Sequence, residues 1–171
     1  MYTDVKKLRY LGENVTIYEL AKLAKPEVIS IGEGTQIDDF CFMFGGEEIT
    51  IGRYNHICSF VTVIGGGKLI TEDYVGISAG CRIVTGTQHY GEGQRMVPVV
   101  PEEQQCVIRG TIRLEKDSFL GSNVIVYPNV TIGEGAIIGA GGIVTKNVAP
   151  WTINLGAPVR VVGERPRVIY D

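Results

Sequence analysis

The sequence predicts an all-β architecture, a parallel β-helix of about six coils with a short N-terminal helix and one long loop excursion, and three observations lead there. Leu114, Leu120, Val126, Ile132, Ile138 and Val144 recur every six residues, a period that fits neither an α-helix nor a simple strand and marks a hexapeptide β-helix. The same aliphatic period runs earlier through Ile31, Ile37 and Met43, then Ile51, Ile57 and Val63, then Ile77 and Ile83, each break in phase being a two-residue insertion. Glycine supplies 23 of the 171 residues, so many positions ask for positive φ or close backbone approach, as tight corners do.

The elements follow in order. Asp4 is placed to cap a short helix with Val5, Leu8 and Leu11 on one face and Gly12 at its end, closing the open end of the prism. Residues 1–30 then form this cap and an irregular first coil with Ile17, Leu23 and Ile29 at its apolar positions. In the regular coils three hexads make one triangular turn, the aliphatic residues point inward, and glycine or a small polar residue turns each corner. Four residues after each aliphatic a small or short side chain recurs, which sets Cys41, Val61 and Cys81 in one interior column, with the two thiols two coils apart and too distant for a disulfide. At roughly 4.8 Å per coil the prism should stand near 30 Å tall. The pattern stops after Ile83 and resumes at Ile112–Leu114, so residues 84–111 form an excursion. Loops of that length in compact repeat proteins are usually functional or disordered, and Met96, Val97, Val99 and Val100 suit one that packs on something such as a neighbouring subunit. Residues 150–171 read as a C-terminal tail, the whole chain being one domain.

Composition excludes several classes. With 44% hydrophobic and 20% charged residues the chain is a folded domain, and a net charge of −3 provides no broad positive field for nucleic acid. No apolar run approaches a membrane span, and the N-terminal MYTDVKKLRY has no apolar segment after its basic residues, so a cytoplasmic protein without membrane insertion is expected. The four cysteines show no CxxC spacing, which predicts reduced thiols and no structural zinc.

The hexads, the excursion and the stretch TIGEGAIIGAGGIVTKNVAPWTINLGAPVRVV from Thr131 together resemble the left-handed β-helix (hexapeptide-repeat) acyltransferases, especially their galactoside, maltose and xenobiotic O-acetyltransferase branch. The resemblance implies a left-handed coil, a homotrimer with active sites between subunits, acetyl-CoA as acyl donor without a metal, and a histidine at the start of the excursion as general base. It also implies a small-molecule acceptor, a sugar or nucleotide-sugar of surface-polysaccharide pathways, acylated on a hydroxyl or an amine. By position, His89 in IVTGTQHY matches the catalytic histidine. Imidazole suits the task because it is neutral near pH 7 and can take a proton from the attacking group. His56 in RYNHICSF is the second candidate, at another corner, where the family faces the next subunit's base. Ser122, Ala140, Gly141, Thr145, Lys146 and Arg160 fall on the family's CoA positions, with the last two toward phosphates, and Phe119 stands where the galactoside enzymes carry a tryptophan beside the acetyl end. Asn55, Glu102 and Glu103 are the substrate-binding candidates, although Asn55 falls on an interior position, where a buried amide needs partners.

Other chemistries fit less well. A nucleophilic cysteine is disfavoured because Cys41 and Cys81 point inward while Cys58 and Cys106 have no evident activating base in the sequence. The β-helical carbonic anhydrases need three histidines on zinc and this chain has two. A non-catalytic β-helix that binds CoA or a partner is the alternative from another class; His89 beside a long excursion is the feature such a prism would not require.

Overall fold

In a computed structural model, which describes residues 4–89, 91 and 93–170, the chain winds into a three-faced parallel β-prism. Positions 1–3, 90, 92 and 171 of the predicted cap, excursion and tail lie outside the described residues. Face A stacks Tyr10–Leu11, Ile29–Ile31, Glu48–Ile51, Lys68–Thr71, Thr111–Leu114 and Thr131–Ile132. Face B stacks Thr16–Ile17, Gln36–Ile37, His56–Ile57, Gly76–Ile77, Phe119–Leu120, Ile137–Ile138 and Thr152–Gly156, and face C runs from Lys22–Ala24 to Ile143–Val144. Six complete coils match the expected number, and a bridge from Ile132 to Val148 with the face-B strand Thr152–Gly156 begins a seventh. No helix among the described residues is long and apolar enough to cross a membrane.

Every regular hexad aliphatic is buried, from Ile31 at one end to Val144 at the other, and together they form one continuous core. Cys41, Val61 and Cys81 share the predicted interior column and are each at most 2% exposed. Burial pushes the Cys41 and Cys81 thiols up to about 11. They are packing residues, with Cys81 donating to the Gly121 carbonyl.

The two-residue insertions all lie at the corner between faces C and A. Phe42 to Thr50 spans eight residues in an early coil, whereas the equivalent Ile125 to Thr131 spans six, as the rung pairings show. The excursion leaves the prism at this same corner, after the strand Arg82–Val84 and before Thr111–Leu114. It is therefore a larger version of an insertion the earlier coils already carry.

Two details depart from the sequence reading. The N-terminal segment is a single 3-10 turn, Val5–Lys7, without a side-chain cap from Asp4, and Leu11 belongs to the first strand of face A. Pairing of Tyr10–Leu11 with Ser30–Ile31 captures the residues a longer helix would need. Many corners hold the expected glycine or small polar residue at positive φ, among them Gly34, Gly80, Asn123 and Asn129, but others place Phe40, Phe60, Tyr54 and Tyr74 at φ between 54° and 65°, a region bulky residues rarely enter. Each is matched to its neighbour one coil on: Phe40 stacks on Phe60 at 5.2 Å and Tyr54 on Tyr74 at 5.4 Å, nearly coplanar. Such pairs contribute about 0.5–1.5 kcal/mol each beyond burial, offsetting part of the strain. Within the C-terminal tail, Thr152–Gly156 pairs antiparallel with Val159–Glu164.

Candidate functional site

The excursion begins as a two-stranded arm. Gly86–Gln88 pairs antiparallel with Val107–Arg109, and His89 continues the ladder by donating its backbone N–H to the Cys106 carbonyl at 2.7 Å. Glycines fasten the arm to the prism: a Cβ on Gly65 or Gly86 would collide with the other's backbone, and Gly65 sits at φ 109°. The His89 side chain is partly buried, and its Nδ1 is sequestered with no hydrogen-bond partner among the described residues, as is the neighbouring Gln88 Oε1. An unpaired buried polar atom costs about 1–3 kcal/mol and calls for an occupant. Gly91 lies against the same ring, where a Cβ would come within 2.8 Å of the imidazole Cε1.

Beside the arm opens a cleft of about 440 Å³ between Thr87 and Ile108 on one wall and Tyr127, Pro128, Asn129, Ile143 and Thr145 on the other. Thr145 also lines a second cleft of about 510 Å³, which gathers Lys146, Asn147, Val159 and Arg160 between the last coil and the terminal hairpin. Thus Thr145, Lys146 and Arg160 line one cleft, and Thr145 also lines the one beneath the arm. The terminal hairpin that brings Arg160 there turns at Gly156–Val159.

The remaining CoA candidates sit elsewhere. Ser122, Ala140 and Gly141 are exposed at the corner between faces B and C, where the Gly141 N–H donates to the Ser122 carbonyl. The strand Ile143–Val144 separates them from Thr145, so the two halves of the expected set occupy opposite ends of face C.

On face B, Gln36, His56, Gly76 and Phe119 form one outward column across successive rungs. Gly76 has no side chain, and the exposed Phe119 ring lies over it. His56 Nε2 is 3.1 Å from Asp38 Oδ2, and Cys58 Sγ is 3.9 Å from both ring nitrogens. Cys58 therefore does have an imidazole neighbour, contrary to the sequence reading, because residues i and i+2 of a strand share a face. Burial, then Asp38, holds its thiol above the ordinary range, so it is no activated nucleophile. Neither Asp38 nor Gln36 was singled out in the sequence, although the hexad register places both on this face.

Asn55 requires a correction. It is 2% exposed, its amide donates to the Arg53 and Glu72 carbonyls, and its oxygen accepts from the Thr71 hydroxyl. These bonds hold it inside the prism, out of reach of a substrate. Glu102 and Glu103 lie in an exposed 3-10 turn, Glu102–Gln104, on the far part of the excursion.

Comparison with known proteins adds to this geometry. The family model for bacterial transferase hexapeptide repeats (six repeats) matches residues 111–146. The chain is 36% identical to the dTDP-4-amino-4,6-dideoxy-D-glucose acyltransferase of Escherichia coli, over 94% of this chain and 84% of that protein. It superposes on AntD, an N-acyltransferase from Bacillus cereus solved with dTDP and 3-hydroxybutyryl-CoA, with a TM-score of 0.90 and 34% identity, covering 95% of this chain and 86% of AntD. A hexapeptide-repeat acetyltransferase from Vibrio cholerae shares the fold at a TM-score of 0.65 and 22% identity, over 95% of this chain and 77% of that one.

Proposed function

The chain belongs to the hexapeptide-repeat acyltransferases, and from that membership we propose that it transfers an acyl group from an acyl-CoA to the amine of a nucleotide-linked amino sugar. The observation that carries the proposal is the cleft beneath the arm, which shares Thr145 with the Lys146–Arg160 cleft, in a chain similar at near-full length to AntD with its bound dTDP and acyl-CoA. In this reading the CoA phosphates meet Lys146 and Arg160, the pantetheine passes Thr145, and the thioester arrives beside His89.

The step is an aminolysis. The neutral amine attacks the thioester carbonyl, a C–N bond forms, and the C–S bond breaks as the tetrahedral intermediate collapses. His89 takes the amine proton as positive charge develops on nitrogen and delivers it to the departing sulfur, so the products are an amide and CoA thiol. His56, engaged by Asp38 and Cys58 on face B, is left outside this proton transfer. Phe119 borders the acyl group, and Ser122, Ala140 and Gly141 hold the pantetheine from a second copy of the chain.

That second copy explains two features. Ser122, Ala140 and Gly141 stand at the opposite end of face C from Thr145, a placement suited to a donor held between adjacent prisms. Met96, Val97 and Val99 are 50, 45 and 90% exposed in the single chain, an apolar surface that a neighbour would cover. The reading is therefore a homotrimer in the cytoplasm, where acyl-CoA and nucleotide sugars are available. Sedimentation should give a trimer at micromolar concentration; a monomer there would rule out a site shared between subunits.

The direct test is acyl transfer to dTDP-4-amino-4,6-dideoxyglucose from acetyl-CoA and 3-hydroxybutyryl-CoA, read by mass spectrometry. Lys146→Ala and Arg160→Ala should raise KM for the acyl-CoA about tenfold or more and leave KM for the sugar nearly unchanged. Equal effects on both substrates, or no acylated product with any amino sugar, would refute the assignment.

A further inference from the structure

We propose that Asp38, His56 and Cys58 form a binding site for one divalent transition-metal ion of the zinc class on face B. One ligand atom from each lies within 4.8 Å of the other two. Around a tetrahedral zinc, with bonds of about 2.0–2.3 Å to oxygen, nitrogen and sulfur, ligand atoms sit roughly 3.3–3.6 Å apart. The observed 3.1 Å from Asp38 Oδ2 to His56 Nε2 and 3.9 Å from the ring nitrogens to Cys58 Sγ straddle that span. Small side-chain rotations bring all three onto one centre.

The backbone beneath them is already fixed. His56 and Cys58 project from one rung, and Asp38 stands opposite on the next, its N–H donating to the Ile57 carbonyl at 2.9 Å while the Cys58 N–H donates to Ile77 at 2.9 Å. A site built on paired strands loses little freedom when an ion arrives. The carboxylate is also oriented from behind, because the Gln36 amide donates to Asp38 Oδ1 at 2.8 Å and leaves Oδ2 toward the imidazole. Outer-sphere bonds of this kind set the direction of ligating groups.

The donor set selects the ion. One thiolate, one imidazole and one carboxylate suit zinc over magnesium or calcium, which prefer all-oxygen shells. With Cys58 deprotonated on binding, the two negative ligands balance a 2+ ion. Three protein ligands leave a fourth position, and the cleft of about 250 Å³ lined by Tyr18, Gln36, Asp38, Asp39 and Ser59 gives a water or a ligand oxygen room to fill it. The expectation of no metal considered three-histidine and paired-cysteine sites; a mixed site needs only one histidine and one cysteine.

Cobalt(II) is the probe, since a thiolate ligand gives it a charge-transfer absorption. The full-length chain, freed of metal with a chelator, is titrated with cobalt and then with zinc. One cobalt per chain, with a thiolate-to-cobalt band that zinc abolishes, is the expected result. Cys58→Ser should lose the band, Cys106→Ser should keep it, and His56→Ala or Asp38→Asn should each weaken cobalt binding about tenfold or more. No thiolate band with cobalt in excess, or a band that survives in Cys58→Ser, overturns the site. Circular dichroism of each metal-free variant checks folding, and the wild-type band with Asp38→Asn decides the matter if Cys58→Ser does not fold.

Discussion

Replacing His89 with alanine is expected to lower kcat by roughly 10²–10⁴-fold while leaving KM for the acyl-CoA near its wild-type value. The imidazole Nδ1 is buried with no hydrogen-bond partner among the described residues, whereas Lys146 and Arg160 lie in the cleft beyond Thr145 and keep their places in the variant. Alanine also retains the backbone bond from His89 to the Cys106 carbonyl, so the arm itself should persist. Steady-state kinetics with both substrates varied, on a variant with unchanged circular dichroism, measures the effect. A general base acts only as the bond forms, which is why the loss should fall on turnover and spare donor binding. His89→Asn keeps much of the ring's volume and should be as slow as the alanine variant. A fall of less than about tenfold would assign the proton to the leaving sulfur directly and take His89 out of the proton transfer.

How much of this was legible depends on which interactions are periodic. The hexad aliphatics, the interior cysteine column and the place of the excursion follow from a six-residue count, because each coil repeats the same burial pattern. Handedness, trimer and CoA positions came from resemblance. The count is silent on what interrupts it. The arm strands Gly86–Gln88 and Val107–Arg109 are three residues each, too short for alternation to announce them, and they exist because a glycine-lined base lets the chain leave and return side by side. The aromatic corners were misread for a different reason: positive φ was assigned to glycine by intrinsic preference, while stacking across coils stabilises Phe40, Phe60, Tyr54 and Tyr74 there. The Asp38–His56–Cys58 cluster could have been found, since a twenty-residue coil sets position 38 opposite 58. The split of the CoA candidates between two corners follows from the same register, since the face-C strand Ile143–Val144 stands between Gly141 and Thr145.

Asn55→Ala should destabilise the chain by about 2–4 kcal/mol, a large effect for one small side chain. The interior column that contains it is otherwise small or apolar, with Val75, Ser118 and Ala136 on later coils. Asn55 and Thr35 bring polar groups into that column, and Thr71 joins them from face A. Thr35 Oγ1 accepts from the Asn55 backbone and donates to the Gly52 carbonyl at 2.9 Å, and Thr71 Oγ1 donates to Asn55 Oδ1 at 2.7 Å while accepting from the Gly52 N–H. Removing the amide leaves the Glu72 carbonyl and the Thr71 hydroxyl hydrogen without this partner, while the Arg53 carbonyl keeps the Tyr74 N–H. Each orphaned group costs about 1–3 kcal/mol, and partial relaxation brings the sum below the simple total. Valine, which suits this column at position 75, should not rescue position 55, since it fills the space and satisfies neither group. The urea midpoint measures the loss, and kcat of the folded variant should stay within about twofold of wild type because no Asn55 atom reaches a substrate. The opposite outcome, unchanged stability with lost acyl transfer, would return Asn55 to the substrate-binding role its sequence position suggested and place the acceptor against the seam between faces A and B.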